Sequence, residues 1–167
     1  MRPGLLAVIA CLVATAGSSQ GTAATPQAAA SKAPGYAYAT NGVLERTTAA
    51  SFWRVLLDKS NLGGSELEVA ELTLKAGTVV DSHTHGSLEV FYVVSGEFGH
   101  EVNGHYYLLK PGMVGVVRPG DKVRHSVPKG RDAKVVVIWV PGGEVGGIVD
   151  YAKGTRVPPV AESSGAP

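Results

Sequence analysis

Cysteine is nearly absent from this chain of 167 residues: the one example, Cys11, stands inside an apolar run close to the N-terminus. Once that run is removed, disulfides and thiolate chemistry are excluded, and a metal ion could be held only by histidine and carboxylate groups. An excess of one charge is lacking too. Fifteen basic and 14 acidic residues leave a formal charge of +1, which gives no argument for nucleic acid or an anionic membrane surface as partner. No apolar stretch approaches the ~20 residues that a membrane-crossing helix needs, so no stable membrane span is expected in the mature protein. Helical periodicity is missing along nearly the whole chain, and no segment repeats.

What the N-terminus does carry is an export pattern. Arg2 is followed by the apolar stretch LLAVIACLVATA, Leu5 to Ala16, which suits the core of a signal peptide. Residues 1–24 are read as that peptide, with cleavage after about residue 16 or 24, and the mature protein as secreted or periplasmic. The apolar stretch before Cys11 is very short, so cleavage further on is preferred to lipid anchoring at that residue. Residues 25–35, rich in Ala, Ser and Pro, read as a disordered linker. A folded domain is expected over 36–150, and a loose tail over 151–167.

Within the domain, short runs of β-branched and aromatic residues alternate with turn residues. Gly is abundant at 22 and Pro reaches 10, which here means turns. Strands are expected at Phe52–Asp58, Glu66–Lys75, Val79–His85, Leu88–Ser95, Glu97–Val102, His105–Leu109, Met113–Val117, Val123–Val127 and Ala133–Val140. Leu67 and Val69 have one parity while Leu72 and Leu74 have the other, which predicts a bulge near Ala70. Asn103-Gly104 is the strongest hairpin signal, because a type I′ turn needs positive φ at both central residues. The fold class is all-β, a single antiparallel β-barrel or jelly roll.

One stretch concentrates the chemistry: GTVVDSHTHGSLEVFYVVSG, from Gly77 to Gly96. His83 and His85 share a face if the strand is regular. Glu89 follows across the Gly86-Ser87 break and can face both imidazoles across a strand pair. Two imidazoles and a carboxylate suit Fe, Mn, Zn, Ni or Cu better than Ca or Mg. By the alternation from Glu89, Phe91 and Val93 line the interior as an apolar wall.

The spacing from Gly77 through His83, His85 and Glu89 to Gly96 resembles the first motif of the cupins. That resemblance implies a small β-barrel with the metal inside, and a second motif supplying one more histidine. The matching segment is GMVGVVRPGDKVRH, Gly112 to His125, so His125 is the implied fourth ligand. Here Arg118 stands where the motif has proline, four residues separate Gly120 from His125 where two are usual, and Lys129 stands where an asparagine is often found. A longer loop before the strand that carries His125 follows. The resemblance spans roughly Glu66 to Val140.

In the Asn103-Gly104 hairpin, His100 pairs with Tyr107, and an inward face would carry both. They are candidate catalytic residues, with a core histidine bonded to Tyr107 as the alternative; His105 reads as solvated. Arg118 and Arg124 could receive a carboxylate or phosphate or sit solvated on the rim. The expected function is that of a metal-dependent enzyme on a small-molecule substrate. Iron or manganese is the preferred cofactor and dioxygenase-like oxidation is narrowly preferred, with redox-neutral isomerase, decarboxylase or lyase chemistry close behind. A non-enzymatic protein holding a metal or small ligand is the second reading. A structural partner domain is the third reading, in which Phe52, Trp53 and the N-terminal extension could cross to another subunit of a homodimer.

Overall fold

The computed structural model describes residues 39–161. The signal peptide expected at 1–24, the linker at 25–35 and the end of the tail lie outside the described residues. In chain order come β1 (Leu44–Thr47), β2 (Ser51–Leu57), α1 (Lys59–Leu62), β3 (Glu68–Leu74), β4 (Val79–His83), β5 (Leu88–Ser95), β6 (Phe98–Val102), β7 (His105–Leu109), β8 (Val114–Val117), β9 (Val123–Ser126) and β10 (Ala133–Val140). A short helix α2 (Val145–Ile148), a 3-10 turn (Tyr151–Lys153) and β11 (Thr155–Arg156) follow.

The strands form two antiparallel sheets. One has seven strands in the order β11-β1-β2-β3-β10-β5-β8, and the other four in the order β4-β9-β6-β7. The jelly-roll expectation holds, whereas a closed barrel does not form. At the edge where β7 and β8 approach, the sheets meet through side chains: a Cβ on Gly115 of β8 would lie 2.8 Å from Leu109 Cδ1 and 3.0 Å from His100 Nε2.

The core lies between the sheets and follows strand periodicity. Ala70, Leu72 and Leu74 of β3, Phe91 and Val93 of β5, and Val135, Val137 and Trp139 of β10 point inward from the large sheet. Phe98, Leu109 and Val123 answer them from the small one. Each fully buried Val or Leu contributes ~1.5–3 kcal/mol. The half-exposed pairs Lys134–Glu71 and Arg54–Glu45 contribute about 1 kcal/mol or less each, so the core decides the register. On the outer face of the large sheet Tyr92, Val94, Val114 and Val116 remain exposed.

Two local expectations are corrected. β3 alternates without interruption, and the irregularity falls on β2 between Val55 and Leu57. Glu68 takes the inward position that ended the apolar phase, because its carboxylate accepts the Val145 backbone N–H at 2.8 Å. The tail is also ordered at its start. β11 pairs with β1, and the half-buried Tyr151 donates its hydroxyl to Asp58 at 2.8 Å. Asp58 also caps α1 by accepting the Ser60 N–H. Burial and the Asp58 carboxylate raise the Tyr151 phenol well above its usual range.

The hairpin between β6 and β7 has positive φ at both Asn103 and Gly104. Its Asn103 side chain then holds the longer loop, donating to Asp121 at 2.8 Å and accepting the Lys122 N–H at 3.0 Å. Gly96, with φ +75°, ends β5 where a Cβ would meet the Asp132 carbonyl oxygen and lie 2.8 Å from Ala133 Cα. Gly96→Ala should therefore lower stability by ~2 kcal/mol or more, read from urea unfolding midpoints. A loss under ~0.5 kcal/mol would show that this close approach is not a constraint.

Candidate metal centre

β4 ends at His83, so His85 lies in the loop that crosses from the small sheet to β5 of the large one. The two histidines therefore do not share a face by strand alternation. Nor does Glu89 face them across a strand pair: β4 and β5 belong to different sheets, and Glu89 looks across the interior. The connecting loop is what aims His85. Its carbonyl accepts the Gly120 N–H at 3.0 Å. Glu144 accepts the Gly86 and Ser87 N–H groups at 2.9 and 3.1 Å.

Each of the two rings has its Nδ1 occupied. His83 Nδ1 lies 2.7 Å from the Asp81 carbonyl oxygen, and His85 Nδ1 lies 3.4 Å from Glu144 Oε2. A carbonyl or carboxylate oxygen can only accept, so both Nδ1 atoms carry the proton and the neutral rings present a lone pair at Nε2. His85 Nε2 is 3.2 Å from Glu89 Oε2, and His125 Nε2 is 3.8 Å from the same oxygen. Neither contact has hydrogen-bond geometry, and all three atoms are buried without a hydrogen-bond partner. The His83 ring stands edge-on to His85 at 4.8 Å and lies 5.7 Å from His125.

The donor set fits a transition metal. Two donors each ~2.1 Å from one cation lie ~3.0–3.4 Å apart, a spacing that the His85–Glu89 contact meets and the His125–Glu89 contact nearly meets. Among the described residues no three such groups form a closed cluster, so the shell is not pre-assembled.

Electrostatics agree with a ligand set. Burial opposes the ionised form of Glu89, but the His125 and His85 rings outweigh it and hold its carboxyl at about 2. The Glu89 contact raises His85, while burial lowers His125. For Glu144, burial opposes ionisation, and contacts to His85, Ser87 and Gly86 reverse it and lower the carboxyl.

Above these groups opens a cavity of about 560 Å³. Phe91 forms part of its wall, whereas Val93 is buried in the core away from it. His100 and Tyr107 are not brought to the cavity. The register does pair them, but His100 is buried behind His125, stacked on it at 5.5 Å, and burial lowers its pKa. Tyr107 is 55% exposed on the edge strand β7. Arg118 and Arg124 are exposed outside the cavity, with Arg124 3.7 Å from Glu101. Trp53 faces the cavity and stacks on Trp139 at 6.5 Å. The sequence reading missed Glu144. Its only signal was an acidic residue following Gly142-Gly143 at the end of a core strand, where the sandwich opens.

The frame is a two-sheet antiparallel sandwich with histidines and a carboxylate between its sheets. Residues 70–141 match the family model for the cupin domain, and the structure built on them has the cupin fold. Solved structures show the same fold. Ectoine synthase from P. lautus is similar with a TM-score of 0.55 and 20% identity, over 73% of this chain and 86% of that one. A predicted oxalate decarboxylase from Thermotoga maritima gives 0.54 and 21%, over 60% and 94%. An RmlC-like cupin from Shewanella frigidimarina gives 0.53 and 23%, over 62% and 87%. No curated protein matches the chain.

Two outcomes follow from this geometry. Glu144→Gln should weaken binding of Mn²⁺ or Fe²⁺ by ~10–100-fold, measured by calorimetry; unchanged affinity would show that Glu144 does not orient His85. The second is a pH dependence of the metal-free protein. Glu89 is depressed from 4.5 to about 2, so its contribution is present above pH 4.5 and lost as pH falls toward 2. His85 is raised above 6.5, so its contribution is full below 6.5 and lost as pH rises through its folded value. The stability gap between chelator-treated wild type and Glu89→Gln should be widest between these limits and narrow on both sides. A gap that does not vary with pH would rule out the pairing.

Proposed function

We propose that this chain is an exported cupin enzyme that binds one divalent transition metal through His83, His85, Glu89 and His125 and acts on a small organic molecule. The observation that carries the reading is the set of buried, unpartnered atoms His85 Nε2, His125 Nε2 and Glu89 Oε2 beneath an open cavity. An isolated buried carboxylate is too costly to keep ionised without a compensating charge. Iron or manganese is preferred, with zinc, nickel and copper as alternatives. A bound ion of this kind would supply open coordination positions to dioxygen and substrate, or act as a Lewis acid. Oxidation is narrowly preferred to isomerisation, decarboxylation or lyase chemistry. The ectoine synthase and predicted oxalate decarboxylase among the structural neighbours differ in their stated reactions and do not choose between these.

The protein's own groups have defined tasks in this reading. Glu89 stays a carboxylate, Glu144 and the Asp81 carbonyl hold His85 and His83 with Nε2 free, and the apolar wall excludes bulk water. A second reading, a non-enzymatic metal or small-ligand binding protein, is favoured by the lining of the cavity. It offers no lysine or tyrosine, and only Asp81 and Glu144 as acids besides Glu89. Export and a homodimeric assembly belong to the same proposal, and the exposed outer face around Tyr92, Val94, Val114 and Val116 favours the second copy there.

The deciding experiment is metal analysis of the protein purified from its export compartment, followed by oxygen uptake on phenol, thiol and keto-acid panels. About one metal per chain is expected, falling at least tenfold in His125→Ala and Glu89→Gln. Substrate-dependent oxygen consumption would select the oxidative enzyme. Metal binding without turnover of any kind would select the binding protein, and equal metal content in both variants would overturn the assignment.

A further inference from the structure

The cavity over the candidate metal centre is lined with an unusual bias. Its charged side chains are Asp81, Glu89 and Glu144, and no lysine or arginine reaches it. Its depth is apolar: Leu72, Leu74, Phe91, Phe98 and Trp139 are all buried. Trp53 and Trp139 lie 6.5 Å apart at 23°, inside the ~4.5–7 Å range of an interacting pair. That gap admits no third ring, so the two indoles present one continuous wall. Ile148, 43% exposed, adds an apolar rim.

We infer that the substrate or ligand of this cavity is a neutral, planar, largely apolar molecule, an aromatic ring system carrying a single polar group toward Glu89 and the histidines. This rests on the cavity being the site of action proposed above. A carboxylate or phosphate ligand would enter past acidic groups and find no lysine or arginine to pair with. A polyhydroxylated sugar would leave hydroxyls unsatisfied in the depth of the cavity, because the polar side chains Ser82 and Thr84 belong to β4 and the loop after it and not to the apolar walls. A flat ring matches the Trp53–Trp139 wall, and a volume near 560 Å³ lies within the ~300–1,000 Å³ of small-molecule sites.

The test compares 2-naphthol, 2-naphthoate and glucuronate as probes of the full exported chain at pH 7, by calorimetry on metal-free and metal-loaded protein. Metal-free protein should bind 2-naphthol at least tenfold more tightly than 2-naphthoate and should not measurably bind glucuronate. Trp53→Leu should weaken 2-naphthol by up to about tenfold with the unfolding midpoint checked in parallel. Ile148→Arg, which adds the missing cation at the rim, should narrow or reverse the preference. Equal or tighter binding of 2-naphthoate or glucuronate by metal-free wild type, or no binding of 2-naphthol, overturns the inference. A chain that proves free of metal yet keeps the naphthol preference sinks the metal assignment and supports this one.

Discussion

A carboxylate sunk into an apolar sandwich is the constraint around which this structure is arranged. Glu89 is 2% exposed, and an uncompensated charge there would cost several kcal/mol. The rings that face it are His85, carried by the loop after β4, and His125, carried by β9 of the opposite sheet. The two sheets are therefore joined at their centre by electrostatics as well as by packing. A loop that positions His85, a strand that positions His125 and a strand that positions Glu89 must all keep their register together. The register of β10 between β3 and β5 is set by fully buried Val and Trp side chains, and it places Glu89 opposite Trp139.

Much of this was legible from residue order. β5, β7 and β10 begin and end where their turn residues say, and the Asn103-Gly104 turn has its expected positive φ pair. Strand alternation placed Phe91 inward correctly, because β5 is regular from Leu88 to Val93. The same rule failed at β7. Tyr107 has inward parity, but β7 is an edge strand and only its Leu109 end is covered by the other sheet. Periodicity states which face a residue takes and cannot state whether anything covers that face.

The site itself divided in the same way. Spacing along one segment brought His83, His85 and Glu89 into consideration together, and His125 joined them through a resemblance rather than through its own spacing. Its longer approach loop is accommodated because Asn103 braces it, a contact between segments that no local pattern encodes. Glu144 was invisible for a similar reason. It comes from the segment after the last core strand, and its partners are nearly sixty residues earlier in the chain. Trp53 drew notice only as a residue that could cross to another subunit, because its stacking partner Trp139 is far off in sequence.

The segment from Gly142 to Ile148 carries two duties at once. Glu144 holds His85, and Ile148 shapes the rim of the cavity, while Val145 between them is anchored through its backbone N–H to Glu68. Any outward swing of this segment that widens the entrance also slackens the imidazole beneath it. Exchange of a small molecule and exchange of a bound ion would then share part of one barrier. Residence times at this site would rise and fall together.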